Sequence, residues 1–164
     1  MTEIEKSIIS IINEHPSKVK IFWDMDGTCA SMEMDMLEQK LEKGFFNKKR
    51  PINTIINIME KYFNLGAETY ILSFCHYSYQ KDDKLEWIKN NIRFLPIENA
   101  IIIPRKEKYT KKTESKETLK AEYIKDYISN DDIVYMVDDN ESVLLGTKKV
   151  LPFINIISPI DFID

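Results

Sequence analysis

Cysteine is scarce: Cys29 and Cys75 are the only two in 164 residues. They form neither a disulfide framework nor a zinc-ligand spacing, so a reducing cytoplasm is the expected location. Long hydrophobic runs are also missing, and no stretch approaches the length of a membrane span. The N-terminus carries Glu3 and Glu5 where a secretory signal would be basic. Positive charge is not in excess. A formal net charge of −4 argues against nucleic-acid binding over a broad basic surface and leaves room only for a local patch. One stretch runs against that balance: residues 105–117, RKEKYTKKTESKE, hold six Lys or Arg against three Glu, a net +3 that leaves −7 elsewhere. It reads as a solvated connection, with electrostatic guidance of phosphorylated substrates as the functional alternative. No internal repeat is present. What remains, 43% hydrophobic and 30% charged residues in 19.4 kDa, is the composition of a soluble globular chain, expected as one domain over residues 1–164.

Hydrophobic spacing then orders the elements. Thr2 and Glu5 form a capping box ahead of Ile4, Ile8, Ile11 and Ile12 at helical intervals, and Pro16 stops that helix. Residues 18–23 predict a first strand. Residues 32–43 predict a short amphipathic helix, followed by a Gly-Phe-Phe loop at 44–46. Pro51 suits the first turn of a helix whose apolar face is Ile52, Ile55, Ile56, Met59 and Phe63, closed by Gly66. Further strands are predicted at 69–73, 100–103, 133–137 and 153–157, with helices at 81–92, 119–128 and 142–145. Short apolar strands alternating with helices predict an α/β fold, a doubly wound parallel five-stranded sheet in three layers. Residues 29–50 are left as a minimal helical lid inserted after the first strand.

Ligands of open parallel sheets bind beyond the carboxyl ends of the strands. Three predicted strands end there in polar residues: Asp24-Met25-Asp26-Gly27-Thr28, Ser73, and Asp138-Asp139-Asn140. Any one of these is an ordinary turn. Two acidic pairs after two apolar strands are harder to explain that way. Carboxylates brought within ~4 Å repel by roughly 4 kcal/mol at an effective dielectric near 20. A cation relieves that, and an all-oxygen donor set favours a hard ion such as Mg²⁺. The same residues suit covalent phosphoryl transfer. A carboxylate attacks phosphorus, a second acid serves the leaving oxygen and then water, and a serine and a lysine hold the phosphoryl oxygens.

In this arrangement the chain resembles the haloacid dehalogenase-like (HAD) superfamily. Its first motif, D-x-D-G-T/V after an apolar strand, is matched by Asp24 to Thr28; its second by Ser73; its acidic fourth by Asp138 and Asp139. The match in order and strand context runs from residue 18 to 157. WDMDGT, GFF, YILSF, the helix start at Lys81 to Trp87, KAEYI and VDDN make it most similar to small 5′(3′)-deoxyribonucleotidase-like phosphatases. The resemblance implies Asp24 as nucleophile and metal ligand, and Asp26 as general acid/base with its backbone carbonyl on Mg²⁺. Ser73 would hold phosphate, Asp138 would bind metal, and Asp139 would do so directly or through water. Lys120 best fits the third-motif lysine, with Lys116 as the alternative.

Thr28 belongs to the expected substrate site, and Phe45 and Phe46 are placed to stack on a base or to pack as a local core. Only 44 residues separate Thr28 from Ser73, too few for the large helical cap of deoxyribonucleotidases. The expected function is a Mg²⁺-dependent phosphatase, most similar to a nucleotidase acting on a (deoxy)nucleotide or another small phosphate ester. The alternatives are a macromolecular substrate, such as a polynucleotide 3′-phosphate or a phosphoprotein, and a non-catalytic phosphate-binding module. No membrane partner is expected, and nucleic acid enters only as a substrate. His76 is given no role, and Tyr77 and Tyr79 are candidates for the cleft entrance.

Overall fold

The computed structural model describes residues 1–32, 42–106 and 115–163. The expected helix at 32–43 and most of the basic stretch 105–117 lie outside the described residues.

Helix α1 (Glu3–Glu14) begins at the expected capping box, with the Thr2 hydroxyl accepting from Glu5 N and the Glu5 carboxylate accepting from Thr2 N. It leads through a turn into strand β1 (Val19–Trp23). Then follow α2 (Asn53–Asn64), β2 (Glu68–Cys75), α3 (Ser78–Asn91), β3 (Ala100–Pro104) and α4 (Lys116–Ile124). The chain closes with β4 (Ile133–Val137), α5 (Glu141–Val150) and β5 (Asn155–Ile157). All strand pairs are parallel and the order is β3-β2-β1-β4-β5, the doubly wound arrangement predicted from the alternation of strands and helices.

Strand alternation makes the three layers. Val19, Ile21 and Trp23 of β1 face a core filled by Ile8 and Ile12 of α1, Ile55 and Met59 of α2, and Trp87 and Ile88 of α3. Phe22, between them, faces the opposite core with Leu119 and Ile124 of α4 and Leu144 of α5. Each face is thus sealed by helices, which is why the strands carry apolar residues on both sides.

Several element ends differ from the spacing-based expectation. Pro51 pairs in an isolated antiparallel bridge with Ala30, and α2 starts two residues later, with Tyr62 rather than Phe63 buried at its end. Strand β2 continues past Ser73 to Cys75 because β3 supplies partners for it, Phe74 opposite Ile103 and Cys75 opposite Pro104. Helix α5 runs to Val150, well past the expected 145. Its Gly146 is not a break: a Cβ there would lie 2.5 Å from the Glu117 carbonyl oxygen, so glycine is what allows α5 to press against α4. Helix α4 spans Lys116–Ile124 where 119–128 was expected, and β5 is shorter than 153–157, with Phe153 exposed.

Candidate active site

The register places the acids. Trp23 pairs with Val137 at the carboxyl ends of the two central strands, and the ladder continues one step as Asp24 N donates to Val137 O at 2.8 Å. The next residues on each strand, Asp24 and Asp138, therefore emerge side by side. Ser73 stands on the other neighbour of β1, two residues beyond Ile71, the partner of Trp23.

Beyond Asp24 the chain folds into a tight loop around one carbonyl. Met25 O accepts from the backbone N–H groups of Thr28, Cys29 and Ala30, and Gly27 N donates to Ala30 O at 2.8 Å. Gly27 has φ +87°, a conformation that favours glycine. A Cβ on it would lie 2.3 Å from Asp139 Oδ2 and 2.5 Å from Asp139 Cγ. The missing side chain thus makes the room into which the Asp139 carboxylate leans. The Cys29 thiol donates to Asp24 O, and burial together with the nearby Asp24 and Asp26 charges pushes its pKa well up, so it stays a thiol. Thr28 is wholly buried, its hydroxyl meets no partner among the described residues, and it does not line the cleft described below.

Two ion-pair groups divide the site. In the first, Lys120 Nζ lies 2.5 Å from Asp24 Oδ1 and 2.6 Å from Asp138 Oδ2, all three side chains buried. Asp138 Oδ1 accepts from Asn140 N at 2.9 Å. Burial raises the Asp24 pKa to about 7, reinforced by Asp138 and Asp26 and opposed by Lys120. Burial likewise opposes the charged form of Lys120, but its two carboxylate partners outweigh it and hold its pKa above the usual value. Asp139 is also raised, first by burial and then by Asp138. Carboxylate oxygens of Asp24, Asp138 and Asp139 lie within 4.8 Å of one another.

In the second group, the Asp26 carboxylate bonds Lys49 Nζ at 2.6 Å and also bonds Lys84. Lys84 is completely buried; its ammonium further donates to Ser73 Oγ at 2.8 Å and Phe74 O at 2.6 Å. Burial acts to raise the Asp26 pKa, yet the two lysines overcome it and lower it to about 2. Phe46 lies beneath both cations, 4.6 Å from Lys84 Nζ and 5.5 Å from Lys49 Nζ, and meets Phe45 edge-to-face. Both phenylalanines are buried. The Gly-Phe-Phe segment therefore packs as a floor under the Asp26 lysines, the local-core alternative of the two weighed for it, with Phe46 at the cleft and Phe45 away from it. Three bonds pin this segment to α3: Gly44 N to Asp83, Asn47 to Glu86, and Trp87 Nε1 to Lys49 O.

Lys49 and Lys84 were not visible as site residues in the sequence. Lys84 left one signal: it lies on the helical face shared by Gln80, Trp87 and Ile88, all buried, where a lysine needs a partner. Lys49, in a run of cations after a turn, left none.

Among the described residues, the two groups open onto one cleft of about 220 Å³. Its lining includes Asp24, Asp26, Ser73, Lys120, Asp138 and Asp139, together with Phe46, His76, Arg105 and Lys116. Phe45 does not line it. Lys120 reaches the acids, while Lys116 lies at the cleft wall.

The donor set fits a divalent cation. Three carboxylates supply oxygens alone, close together on rigid strand ends, and Lys120 now carries the neutralisation that such an ion would share. Chemically the arrangement offers a buried carboxylate, a second carboxylate two residues along, a hydroxyl and three ammonium groups bonded among them.

No protein-family model matches the sequence, and no curated relative is found. The fold is similar to chains of the Pnkp1/Rnl/Hen1 complex at TM-score 0.66 with 11% identity, covering 86% of this chain and 45% of that one. A second structure of this RNA repair complex gives TM-score 0.63 with 12% identity, covering 86% and 42%. The HAD domain of the effector Lem4 from Legionella pneumophila overlaps at TM-score 0.48 with 16% identity over 87% of each chain, too slight a likeness to add to the argument. The chain thus spans less than half the length of the repair-complex chains whose fold it shares. No helix among the described residues is long and apolar enough to cross a membrane.

Proposed function

We infer that the protein is a Mg²⁺-dependent phosphatase that hydrolyses phosphate monoesters through a phosphorylated Asp24. The observation that carries this reading is the separation of two carboxylates with opposite electrostatics. Asp24 is buried beside Asp138 with its pKa raised, while Asp26 is paired with two lysines and depressed. Such divergence between neighbouring acids is how one site assigns a nucleophile and a proton-transfer group.

Asp24, Asp138 and Asp139 would hold the ion, with the Asp26 backbone carbonyl. When bound, Mg²⁺ supplies charge neutralisation that lets an anionic carboxylate meet an anionic phosphate. Asp24 attacks phosphorus and the ester oxygen departs, leaving an acyl phosphate on Asp24. Ser73 and Lys120 hold phosphoryl oxygens, Lys120 by sharing its donors between Asp24 and the incoming group. Asp26 protonates the departing oxygen and later takes a proton from the water that hydrolyses the acyl phosphate. In the resting site Asp26 is an anion, suited to the second task. The negative charge of a bound phosphate beside it raises its pKa, the direction the first task needs.

For the substrate, the sequence pointed first to a nucleotide or small ester. The cleft and the shared fold with an RNA repair complex favour the second reading, a phosphate at the end of a polynucleotide. A cleft of about 220 Å³ among the described residues is below the usual size of a pocket that encloses a whole ligand. The experiment is phosphate release from p-nitrophenyl phosphate with and without Mg²⁺. Mg²⁺-dependent release that disappears in Asp24→Asn supports the reading, and release indifferent to either removes it.

A further inference from the structure

The lip of the cleft beyond β2 and β3 carries charge and aromatic surface that the phosphoryl chemistry does not use. Strand β3 continues to track β2 past its last residue: Arg105 N donates to Cys75 O at 2.9 Å and Lys106 N to His76 O at 3.1 Å. These bonds fix two exposed cations alongside the segment that starts α3. In that segment Tyr77 is 37% exposed, and its ring stacks on Tyr79 with centroids 5.8 Å apart and planes 11° from parallel. Lys106 Nζ lies 5.4 Å from the Tyr77 ring centroid, and His76, which lines the cleft, adjoins Tyr77 at 6.3 Å. Lys116, at the first turn of α4, and Arg105 line the same cleft, with Glu117 sharing their rim.

Lys120 in the cleft, and Lys49 and Lys84 outside its lining, are already bonded to the acids. Arg105, Lys106 and Lys116 lie outside those pairs and would serve a substrate that brings further negative charge beyond the phosphate being removed. A mononucleotide or sugar monophosphate brings none. A polynucleotide brings one phosphate per residue, and its bases have flat faces that stack on tyrosine. A backed, exposed tyrosine beside cations at a cleft mouth offers a partner to each, a ring for a base and ammonium or guanidinium groups for phosphates. A phosphopeptide has no recurring ring to use the tyrosine pair.

Resting on the phosphatase reading above, we propose that this lip is a binding track for single-stranded nucleic acid, which presents its terminal phosphate to Asp24. The penultimate base stacks at Tyr77, displacing the Lys106 ammonium from the ring toward a neighbouring phosphate, and Arg105 and Lys116 meet the backbone nearer the cleft. The track is short and the chain as a whole is acidic, so recognition is limited to the strand end.

The test compares three substrates of the wild-type protein: p-nitrophenyl phosphate, thymidine 3′-monophosphate and a 3′-phosphorylated oligothymidylate of about ten nucleotides. Fluorescence anisotropy of the labelled oligonucleotide is measured in parallel. The track predicts kcat/KM on the oligonucleotide about tenfold or more above the mononucleotide, gained mainly in KM. Three cations on a single strand predict a log–log salt slope near −2 for binding. Tyr77→Ala and Lys106→Ala should each reduce the oligonucleotide-to-mononucleotide ratio and the anisotropy affinity by about fivefold or more, whereas Tyr77→Phe keeps both. Equal kcat/KM on the two nucleotide substrates, or variants that leave the ratio in place, would overturn the proposal. Absence of hydrolysis on all three substrates would refute the phosphatase reading alone. The anisotropy series then decides the track, upheld by salt-sensitive binding that Tyr77→Ala weakens and overturned by its absence.

Discussion

Lys84 Nζ lies 2.8 Å from Ser73 Oγ while also bonding the Asp26 carboxylate, so a fully buried lysine links the end of β2 to the loop after β1. A charge without exposure is tolerated only with complete pairing. Lys84 has it: a carboxylate, a hydroxyl, a carbonyl and the face of Phe46. The lysine therefore sets two distances at once, and both Asp26 and Ser73 depend on it for position.

Lys84→Met should uncouple them. With one ammonium gone, the Asp26 pKa rises from about 2 toward the ordinary carboxylate range. Asp26 must be ionised to activate water, so the acidic limb of the kcat profile should move to higher pH. A pH–rate series on the variant checks this, against the alternative of a uniform loss at every pH. Lys84→Arg, which keeps charge in a larger group, should restore part of the profile if it folds.

Lys120→Ala and Lys116→Ala should separate widely. Lys120 stands between Asp24 and Asp138, and its loss leaves two buried carboxylates facing each other at roughly 4 kcal/mol of repulsion if ~4 Å apart at an effective dielectric near 20. Turnover should fall by about a hundredfold or more, against a few-fold effect for Lys116→Ala. Steady-state rates on p-nitrophenyl phosphate measure the ranking, and the reverse order would assign the phosphate contact to Lys116.

Gly27→Ala is a local test of the ion site. The added Cβ collides with the Asp139 carboxylate, and the backbone at φ +87° is strained for any side chain. Asp139 has to move away from Asp24 and Asp138. The Mg²⁺ concentration for half-maximal activity should rise by about tenfold. An unchanged Mg²⁺ requirement would show that Asp139 is not a ligand.

Metal-free stability should depend on pH through Asp24. Its folded pKa, about 7, exceeds the ordinary value of 3.8, so between those values the folded state holds more protons than the unfolded state. Stability therefore falls as pH rises from about 4 to about 7. The raised pKa of Asp139 acts in the same sense. Asp26, depressed to about 2, contributes stability that is complete above 3.8 and changes little in this window. Mg²⁺ offsets the carboxylate charge and should stabilise more at pH 7.5 than at pH 5. Thermal melts with EDTA and with Mg²⁺ at both pH values check the sign, and an equal Mg²⁺ effect at both would contradict it.

The acids that end strands were legible because strand register carries them: once Trp23 and Val137 pair, Asp24 and Asp138 have to be neighbours. Ser73 followed in the same way from β2. The helix layer on one face of the sheet was readable from Ile8 and Ile12, and from Ile55 and Met59, at helical spacing. The lysines around Asp26 were not, because side chains that converge from a loop and a helix leave no period in the chain. Lys49 reaches Asp26 only through a loop tied to α3 by Gly44, Asn47 and Trp87, contacts between residues nearly forty positions apart. The same gap explains Phe45 and Phe46, which suit a base platform or a local core in sequence and become the floor of a lysine pair in space.

The central claim is that phosphorus becomes bonded to the Asp24 carboxylate. Rapid acid quench of the protein during turnover with Mg²⁺ and a substrate radiolabelled in its phosphoryl group measures that bond directly, and reduction of a parallel sample with tritiated borohydride locates it by peptide mapping. The account predicts an acid-stable, base-labile label that maps to Asp24, accumulates in Asp26→Asn and is absent in Asp24→Asn. A label on another residue, or full turnover by Asp24→Asn with no label anywhere, would contradict it.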